Sequence, residues 1–401
     1  MKDILSQRLK KINPSMTVSI NVKANALRAE GRDVLVLASG EPDFDTPQNI
    51  RQAAIKAMNE GQTRYAPGRG TPALQQAIVD KFKRDNNLSY NFDEIMVGVG
   101  GKHIIYNAMM ATLNPDDEVI IPAPFWVSYP DIVMLAEGKP KIVKCDSLNN
   151  FKITPEQLEN NITKKTKWLF LNSPSNPTGA IYSFEELKAI SGVLLKYPNV
   201  LVLSDDIYEK IIYDEENFFT IASVEPKMKD RTVTLNGVSK AYCMTGWRLG
   251  YCGGPKEIIS GMNKIQSQSN TSTSSISMAA SVEALQGDQE FINLHNIQFK
   301  KRRDMVVENL NQIEGINCSI PPGAFYVYPS CEGIIGKKTS KGNTINTDED
   351  FMKFLLESEG IAGVHGEAFG LSPYFRLSYA TDEKTLEDAC NRIKRACNAL
   401  K

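Results

Sequence analysis

The chain has 401 residues, of which 42% are hydrophobic and 23% are charged. This composition excludes a disordered chain and is typical of a globular protein with a large core. Its 46 basic and 47 acidic side chains leave a formal net charge of -1. That balance excludes a global attraction to nucleic acid or to an anionic membrane, and it indicates small-molecule ligands.

The sequence shows no targeting, membrane or metal-binding pattern. MKDILSQRLKK lacks the apolar stretch of a signal peptide, and no apolar run approaches the roughly 18 residues of a spanning helix. We therefore predict a cytoplasmic protein. Seven cysteines without a CxxC pair and three well-separated histidines indicate neither a disulfide framework nor a metal site.

From about residue 94, short apolar runs alternate with helical patterns, which predicts a largely parallel sheet covered by helices. The runs are hydrophobic throughout, as a sheet buried on both faces requires. Ser183 and Glu186 have the spacing of a capping box before one of the helices. The predicted strands are 94–101, 117–124, 139–145, 166–172, 199–206, 232–240 and 247–254.

After about residue 288 the pattern changes to α+β: a long charged helix, the run AFYVYPS, a helix that begins near Thr347, and the run YFRLSYA. The tail has an apolar stripe at three- and four-residue spacing, formed by Leu386, Ala389, Ile393, Cys397 and Leu400. We predict a large domain at 49–288 and a small C-terminal domain at 289–401. The N-terminal segment 1–48 is expected to pack with the small domain.

Three charged residues follow or end apolar strands, where ligands bind in open α/β sheets. Asp205 ends LVLSD, where it either pairs with a cation or caps a turn. Lys240 follows TLNGVS, and in an apolar niche its amine would have a lowered pKa and attack aldehydes, although most lysines are exposed. Arg248 suits a phosphate dianion or a structural ion pair.

A glycine pair and three further side chains suggest additional contacts. The backbone at Gly100 and Gly101 could hold a phosphate at a helix start, or simply begin the helix. Asn176 could bond a phenolate or carboxylate oxygen, or form a turn. Trp126 could lie against a flat ring or pack in the core. Arg376, within an apolar strand, needs an anion, either a substrate carboxylate or an internal acid.

Several segments, taken in their order along the chain, resemble the class I aminotransferases, specifically the bacterial-type aspartate aminotransferase subgroup. The resemblance runs from about Pro14 to the C-terminus. It implies the α/β fold of the pyridoxal-phosphate-dependent transferases (fold type I), with a mostly parallel seven-stranded sheet and a smaller α+β domain. The matching segments are GEPDFDTP, YAPGRGTPALQQAI, VGGKHIIYNA, PFWVSYP, NSPSNPTGA, SDDIYE, NGVSKAYCMTGWRLGY and FRLSYA.

The resemblance also implies pyridoxal 5'-phosphate as the cofactor. Lys240 would bind its aldehyde as a Schiff base and then act as general base and acid, while Asp205 would keep the ring nitrogen protonated. Tyr65 would reach the phosphate from the neighbouring subunit, which implies a homodimer with shared active sites. The remaining cofactor contacts would be Tyr208 and Asn176 at the ring oxygen, Trp126 on the ring, and Gly100, Gly101, Ser239 and Arg248 at the phosphate.

On the same basis, a substrate α-carboxylate would bind Arg376 together with Asn176 and the Gly40 backbone, beside Trp126. Between Arg248 and Arg302 the chain has no arginine, so the distal carboxylate cannot be bound as in the animal and enteric subgroup. Lys102, which follows the glycine pair, would bind it instead, with Ser15 and Thr17. Lys102 could alternatively contact the phosphate or be solvated at the helix start.

These inferences predict reversible transfer of the amino group from L-aspartate to 2-oxoglutarate, giving oxaloacetate and L-glutamate. A glutamate/aspartate–prephenate aminotransferase, or another class I aminotransferase, is the nearest alternative, because Lys102 would serve a second carboxylate there too. A lyase or synthase with the same cofactor and fold is more distant. A non-catalytic protein that keeps the fold is the last alternative.

Overall fold

The computed structural model describes residues 4–12, 14 and 16–401. Its main sheet has seven strands, and every pairing in it is parallel except the two made by β8. The predicted mostly parallel seven-stranded sheet is confirmed. The first strand of the chain, β1 (Leu35–Val36), is short and lies outside the main sheet. The strands of the main sheet are β2 (Ile95–Gly98), β3 (Glu118–Ala123), β4 (Lys139–Lys144), β5 (Thr166–Asn172), β6 (Leu201–Asp205), β7 (Thr232–Gly237) and β8 (Gly250–Gly253). Their spatial order is β2-β8-β7-β6-β5-β3-β4.

The register of the central strands brings their carboxyl ends together. Asn172 at the end of β5 lies opposite Asp205 at the end of β6, and Asp205 lies opposite Leu235 of β7. Every residue of β2 and β7 is buried, as expected for strands covered on both faces. The segments that follow β5, β6 and β7 therefore leave the sheet at one edge, where open α/β sheets bind ligands.

Helices cover this sheet and form most of the remainder. The capping box before α7 is confirmed, since the Ser183 side chain accepts from the Glu186 amide and the Ser183 amide donates to Glu186 Oε2 at 2.8 Å. Every helix in the described part of the chain is too short or too polar to cross a membrane. The helices are α1 (Met16–Ala29), α2 (Gln48–Asn59), α3 (Pro72–Asn86), α4 (Gly101–Thr112), α5 (Ser128–Leu135), α6 (Pro155–Asn161), α7 (Phe184–Leu194), α8 (Ile221–Val224), α9 (Pro226–Lys229), α10 (Lys256–Ser269), α11 (Ser275–Gln286), α12 (Glu290–Asn311), α13 (Asp348–Glu359) and α14 (Glu383–Asn398).

The C-terminal part contains a small antiparallel sheet in the order β11-β12-β9. The predicted apolar stripe of the tail is buried along α14 and its end, so this helix packs as the spacing indicated. The strands of this part are β9 (Tyr326–Val327), β10 (Ile361–Ala362), β11 (Val364–His365) and β12 (Phe375–Ser378).

The N-terminal segment contacts the C-terminal part. Strand β1 pairs with β10 in parallel, and Ala24 and Val34 share a buried apolar cluster with Leu356. The domain boundaries at 48 and 288 remain predictions. One buried apolar cluster includes residues from both sides of 288, such as Leu285 and Phe299.

Candidate active site

A cavity of about 370 Å³ lies at the carboxyl edge of the main sheet. Its walls come from the segments after β3, β5, β6 and β7, from the start of α4, from β9 and β12, and from residues 39–41. The structure thus brings together most of the residues that were predicted from the sequence to form a site. Those lining the cavity are Gly40, Gly101, Lys102, Trp126, Asn176, Asp205, Tyr208, Ser239, Lys240, Arg248 and Arg376.

Lys240 presents its amine to this cavity in a partly buried position. Its Nζ donates to the Gly40 carbonyl oxygen at 2.6 Å and lies 5.7 Å from the centroid of the Tyr208 ring. Burial and the nearby Arg376 charge lower the pKa of Lys240 to about 8, against an opposing effect of Glu41. On the order of a tenth of this amine is therefore neutral at pH 7, far more than for an ordinary lysine, which favours a role as nucleophile or base.

Asp205 is a buried acid with neutral hydrogen-bond partners. Its side chain is 5% exposed; the Tyr129 hydroxyl donates to Oδ2 at 2.6 Å, and the Ile207 amide donates to Oδ1 at 3.4 Å. Burial raises the pKa of Asp205 to about 6, although the Tyr129 hydrogen bond acts in the opposite direction. A cationic ligand atom next to this carboxylate would offset the cost of burying its charge.

Arg376 is a buried cation whose contacts in the described part of the chain are all with neutral groups. It is 1% exposed. Its Nη1 donates to Asn176 Oδ1 at 2.8 Å and its Nη2 to the Ala38 carbonyl at 2.7 Å. Among the described residues, Nε has no hydrogen-bond partner. Burial lowers the pKa of this guanidinium. These contacts favour a ligand carboxylate over an internal acid as its counter-charge.

The start of α4 adjoins a second guanidinium. Gly100 precedes the helix with φ 81°, a conformation that suits glycine. A Cβ at this position would collide with the guanidinium of Arg248. Arg248 is otherwise held by a hydrogen bond from Nη1 to the Thr245 carbonyl at 2.8 Å. The Gly100 amide donates to the Gly98 carbonyl at 2.8 Å. The N-terminus of α4 beside this arginine is nevertheless a suitable site for an anion.

Lys102 and Trp126 form the outer part of the same wall. The Lys102 ammonium lies 4.9 Å from the centroid of the Trp126 ring. Burial and the nearby Arg248 charge lower the pKa of Lys102. Lys102 and Arg248 therefore both line the cavity, and their combined charge favours a ligand with more than one negative charge.

A family model described as "Aminotransferase class I and II" matches residues 32–393. The chain belongs to this family. It is 55% identical over 397 residues to a probable aspartate/prephenate aminotransferase of Rhizobium leguminosarum bv. phaseoli, with 99% of each chain covered. It is 53% identical over 396 residues to an aspartate/prephenate aminotransferase of Cereibacter sphaeroides, again with 99% of each covered.

Solved structures confirm the fold as well as the family. A crystal structure of the aspartate aminotransferase from Rhizobium meliloti is similar with a TM-score of 0.97 and 50% identity, covering 100% of both chains. The Thermus thermophilus aspartate aminotransferase with maleate is similar with a TM-score of 0.92 and 39% identity, covering 99% of this chain and 100% of that one. The predicted fold type I of the pyridoxal-phosphate-dependent transferases and the predicted enzyme class are therefore correct.

Two predicted contacts that the structure describes, Gly100 and Tyr65, do not line the cavity. Gly100 directly precedes the lining residue Gly101 at the start of α4. Tyr65 is 93% exposed and lines a separate surface depression with residues 270 and 272–276. Ser15 and the side chain of Thr17 lie outside the described residues. The roles predicted for all of the site residues remain predictions.

Several polar residues of the cavity were not predicted from the sequence. Asn172 links two strand ends, since its Oδ1 accepts from the Asn176 amide at 2.8 Å and its Nδ2 donates to the Asp205 carbonyl at 2.8 Å. Its position at the end of the predicted strand TKWLFLN could have identified it as a site residue from the sequence. The others are Ser39, Glu41, Tyr129, Thr245 and Tyr326.

Proposed function

We propose that this aminotransferase uses pyridoxal 5'-phosphate to transfer the amino group of L-aspartate reversibly to 2-oxoglutarate. The products are oxaloacetate and L-glutamate. One observation carries the proposal: Lys240, Asp205 and Arg376 all line one cavity. Lys240 has an amine with a lowered pKa, Asp205 is a buried acid, and Arg376 is a buried guanidinium with neutral partners. An aldehyde, a ring nitrogen and a carboxylate are their complementary groups.

The side chains present fit this cofactor. Lys240 would hold its aldehyde carbon, and Asp205, whose hydrogen-bond partners are neutral, would hold the protonated ring nitrogen. When bound, the cofactor supplies an electron sink for the pair released from the Cα–H bond of the amino acid. The other contacts would be Tyr208 and Asn176 with the ring oxygen, Trp126 with the ring face, and Gly100, Gly101, Ser239 and Arg248 with the phosphate.

Lys240 is the group that we propose to move the proton. Its Nζ, held by the Gly40 carbonyl at 2.6 Å, would take the proton from the substrate α-carbon as a base and return it as an acid. A pKa of about 8 suits both steps, because general acid–base catalysis is most efficient when the pKa lies near the working pH.

The remaining charges would orient the substrate. Arg376, together with Asn176 and the Gly40 backbone, would bind the α-carboxylate, and Lys102 would bind the distal carboxylate with Ser15 and Thr17. The Lys102 ammonium is kept against the Trp126 ring, 4.9 Å from its centroid, so it is directed to the same side as the proposed ring contact. Two cations that line one cavity favour a dicarboxylic acid over a monocarboxylic one.

We further propose a homodimer in which Tyr65 of the partner subunit reaches the phosphate. In one chain Tyr65 is 93% exposed and lies outside the cavity. A tyrosine with this exposure has an apolar ring and a polar end available, which is the combination enriched at interfaces. Sedimentation of the purified protein, with cofactor affinity measured for wild type and Tyr65→Phe, tests both parts.

Prephenate is a second candidate for the amino acceptor. The relatives from Rhizobium leguminosarum bv. phaseoli and Cereibacter sphaeroides carry both aspartate and prephenate in their names. Prephenate also has a second carboxylate, which Lys102 would bind in the same way.

A survey of half-reactions tests these assignments. Aspartate, glutamate and alanine are offered as donors, with 2-oxoglutarate and prephenate as acceptors, and we expect aspartate with 2-oxoglutarate to turn over rapidly. Rapid turnover of alanine with none of aspartate would refute the proposed substrate. Release of ammonia without an acceptor would indicate a lyase instead. Borohydride reduction followed by peptide mapping should label Lys240, and a label elsewhere would remove the basis of the proposal.

A further inference from the structure

Tyr326 lines the cavity but has no role in the function proposed above. It lies on β9, is 0% exposed, and stands opposite Ser378 of β12. Because alternate side chains of a strand point to the same face, this register places Tyr326 and Arg376 on one face of the small sheet. Tyr326 therefore enters the site from the C-terminal part of the chain.

The Tyr326 side chain contacts both halves of the site. Its hydroxyl oxygen lies 2.8 Å from the Tyr208 hydroxyl oxygen, and its ring centroid lies 4.5 Å from Cζ of Arg376. A Cβ on Gly40 would come within 2.8 Å of the same hydroxyl, so a side chain there would displace it. One residue thus joins the group proposed for the cofactor ring oxygen to the group proposed for the substrate carboxylate.

The number of protons decides the direction of the hydrogen bond between the two phenols. Burial raises the pKa of both hydroxyls, so both keep their proton near neutral pH. Each phenol has one proton to donate. If Tyr208 donates its proton to the ring oxygen of the cofactor, it can only accept from Tyr326. A phenol that accepts a hydrogen bond becomes a stronger donor, because chained hydrogen bonds polarise one another.

We propose that Tyr326 is a positioning residue with two separable actions, an inference that rests on the proposed function. Its hydroxyl strengthens the hydrogen bond from Tyr208 to the ring oxygen of the cofactor. Its ring face supports the Arg376 guanidinium through a cation–π contact. Removing the hydroxyl alone should therefore alter the bound cofactor, whereas removing the ring should also weaken binding of the substrate carboxylate.

The test is a pH titration of the visible absorbance of the enzyme loaded with pyridoxal 5'-phosphate. A hydrogen bond donated to the ring oxygen stabilises its anionic form and so lowers the pH midpoint. We expect Tyr326→Phe to raise that midpoint by about 0.3 to 0.7 unit. Measured well above the midpoint, its KM for aspartate should stay close to that of the wild type. Tyr326→Leu should raise the midpoint similarly and also raise the KM by about 3- to 30-fold.

Tyr379→Phe is the matched control. Tyr379 is also 0% exposed, and its hydroxyl donates to the Ala324 carbonyl at 3.1 Å, an oxygen that also accepts from Tyr213. This variant removes the same buried group without contact to Tyr208, so its midpoint should match the wild type. In a Tyr208→Phe background, adding Tyr326→Phe should produce no further shift, because the proposed action passes through Tyr208.

The outcomes separate this inference from the function on which it rests. A wild-type protein that shows no visible band with pyridoxal 5'-phosphate would refute the proposed cofactor. A wild-type protein that titrates, with Tyr326→Phe at the same midpoint as Tyr379→Phe, would overturn the role of Tyr326 alone. A shift from Tyr326→Phe that persists in full in the Tyr208→Phe background would overturn it as well.

Discussion

Lys81 and Arg376 are both cations that the fold excludes from water, but their surroundings differ. Lys81 on α3 is 0% exposed; it pairs with Glu209, and its Nζ donates to Asn86 Oδ1 at 2.6 Å. Arg376 on β12 is 1% exposed, and its partners are an amide oxygen, a backbone carbonyl and aromatic rings. The Lys81 charge is neutralised within the fold by Glu209, whereas the Arg376 charge is available to a ligand.

This difference indicates which buried charges serve stability and which serve function. Breaking a buried ion pair leaves an uncompensated charge and is strongly destabilising, whereas replacing a buried charge that has no counter-charge avoids that cost. The two cations should therefore respond in opposite ways to the same kind of substitution. Removing Arg376 should reduce activity, and removing Lys81 should reduce stability.

The largest effect is expected for Arg376→Leu. The kcat/KM for aspartate should fall by about 10³- to 10⁴-fold, because the α-carboxylate loses a desolvated charge-assisted partner. The free energy of unfolding of the cofactor-free protein should change by no more than about 2 kcal/mol, since two hydrogen bonds are lost together with an unpaired charge. Half-reaction kinetics and urea unfolding measure the two quantities. A large loss of stability with little loss of activity would contradict the assignment.

Lys81→Met should produce the reverse pattern. It leaves the Glu209 carboxylate buried without its cation, and we expect the free energy of unfolding to fall by about 3 to 5 kcal/mol. Activity per folded active site should be nearly unchanged. The double variant Lys81→Met/Glu209→Gln removes both charges and should recover part of the stability. No recovery in urea unfolding would show that the ion pair is not the cause.

A smaller effect is expected for Lys102→Ala, which tests a cation that is more exposed than Lys81 and Arg376. The kcat/KM for aspartate should fall by about 10- to 100-fold, while that for alanine should stay the same, because only aspartate has a distal carboxylate. Lys394→Ala, which removes an exposed lysine of α14, is the control. An equal loss for both amino acids would assign Lys102 to the phosphate instead.

The smallest effect is the influence of the Arg376 charge on the pKa of Lys240. In cofactor-free protein, the rate at which Lys240 reacts with pyridoxal 5'-phosphate should rise with pH up to about 8 and then level off, because only the neutral amine attacks. Arg376→Leu should move this midpoint upward, since the Arg376 charge lowers the pKa of Lys240. Lys81→Met should leave it in place. Stopped-flow absorbance gives the midpoint, and equal shifts in both variants would remove the distinction.

Much of the fold was predictable because its signals are local. The run TKWLFLN has the bounds of β5, and the capping box at Ser183 marks the start of α7 as the structure has it. The charged residues at strand ends were found for the same reason, since a polar residue that ends a buried strand is visible in the sequence. Asp205 and Lys240 are the two examples that matter most.

The contacts around the site were less predictable. Tyr326 sits in the run AFYVYPS, where nothing distinguishes it from Tyr328, although only the first lines the cavity. The sequence also left open whether Arg376 pairs with an internal acid or with a ligand. The answer depends on which groups other elements bring to it, and here they are the Asn176 amide and the Ala38 carbonyl.

By itself, the sequence determined the order of the elements, the mostly parallel sheet, the aminotransferase family and the residue types available for chemistry, because periodicity and motifs act over short stretches of chain. Only the tertiary structure decided which groups meet. Lys240 and Gly40 are 200 residues apart, Arg376 and Asn176 are also 200 apart, and Tyr208 and Tyr326 are 118 apart. Such pairs form only when the sheet and the C-terminal part pack together, which no local pattern specifies.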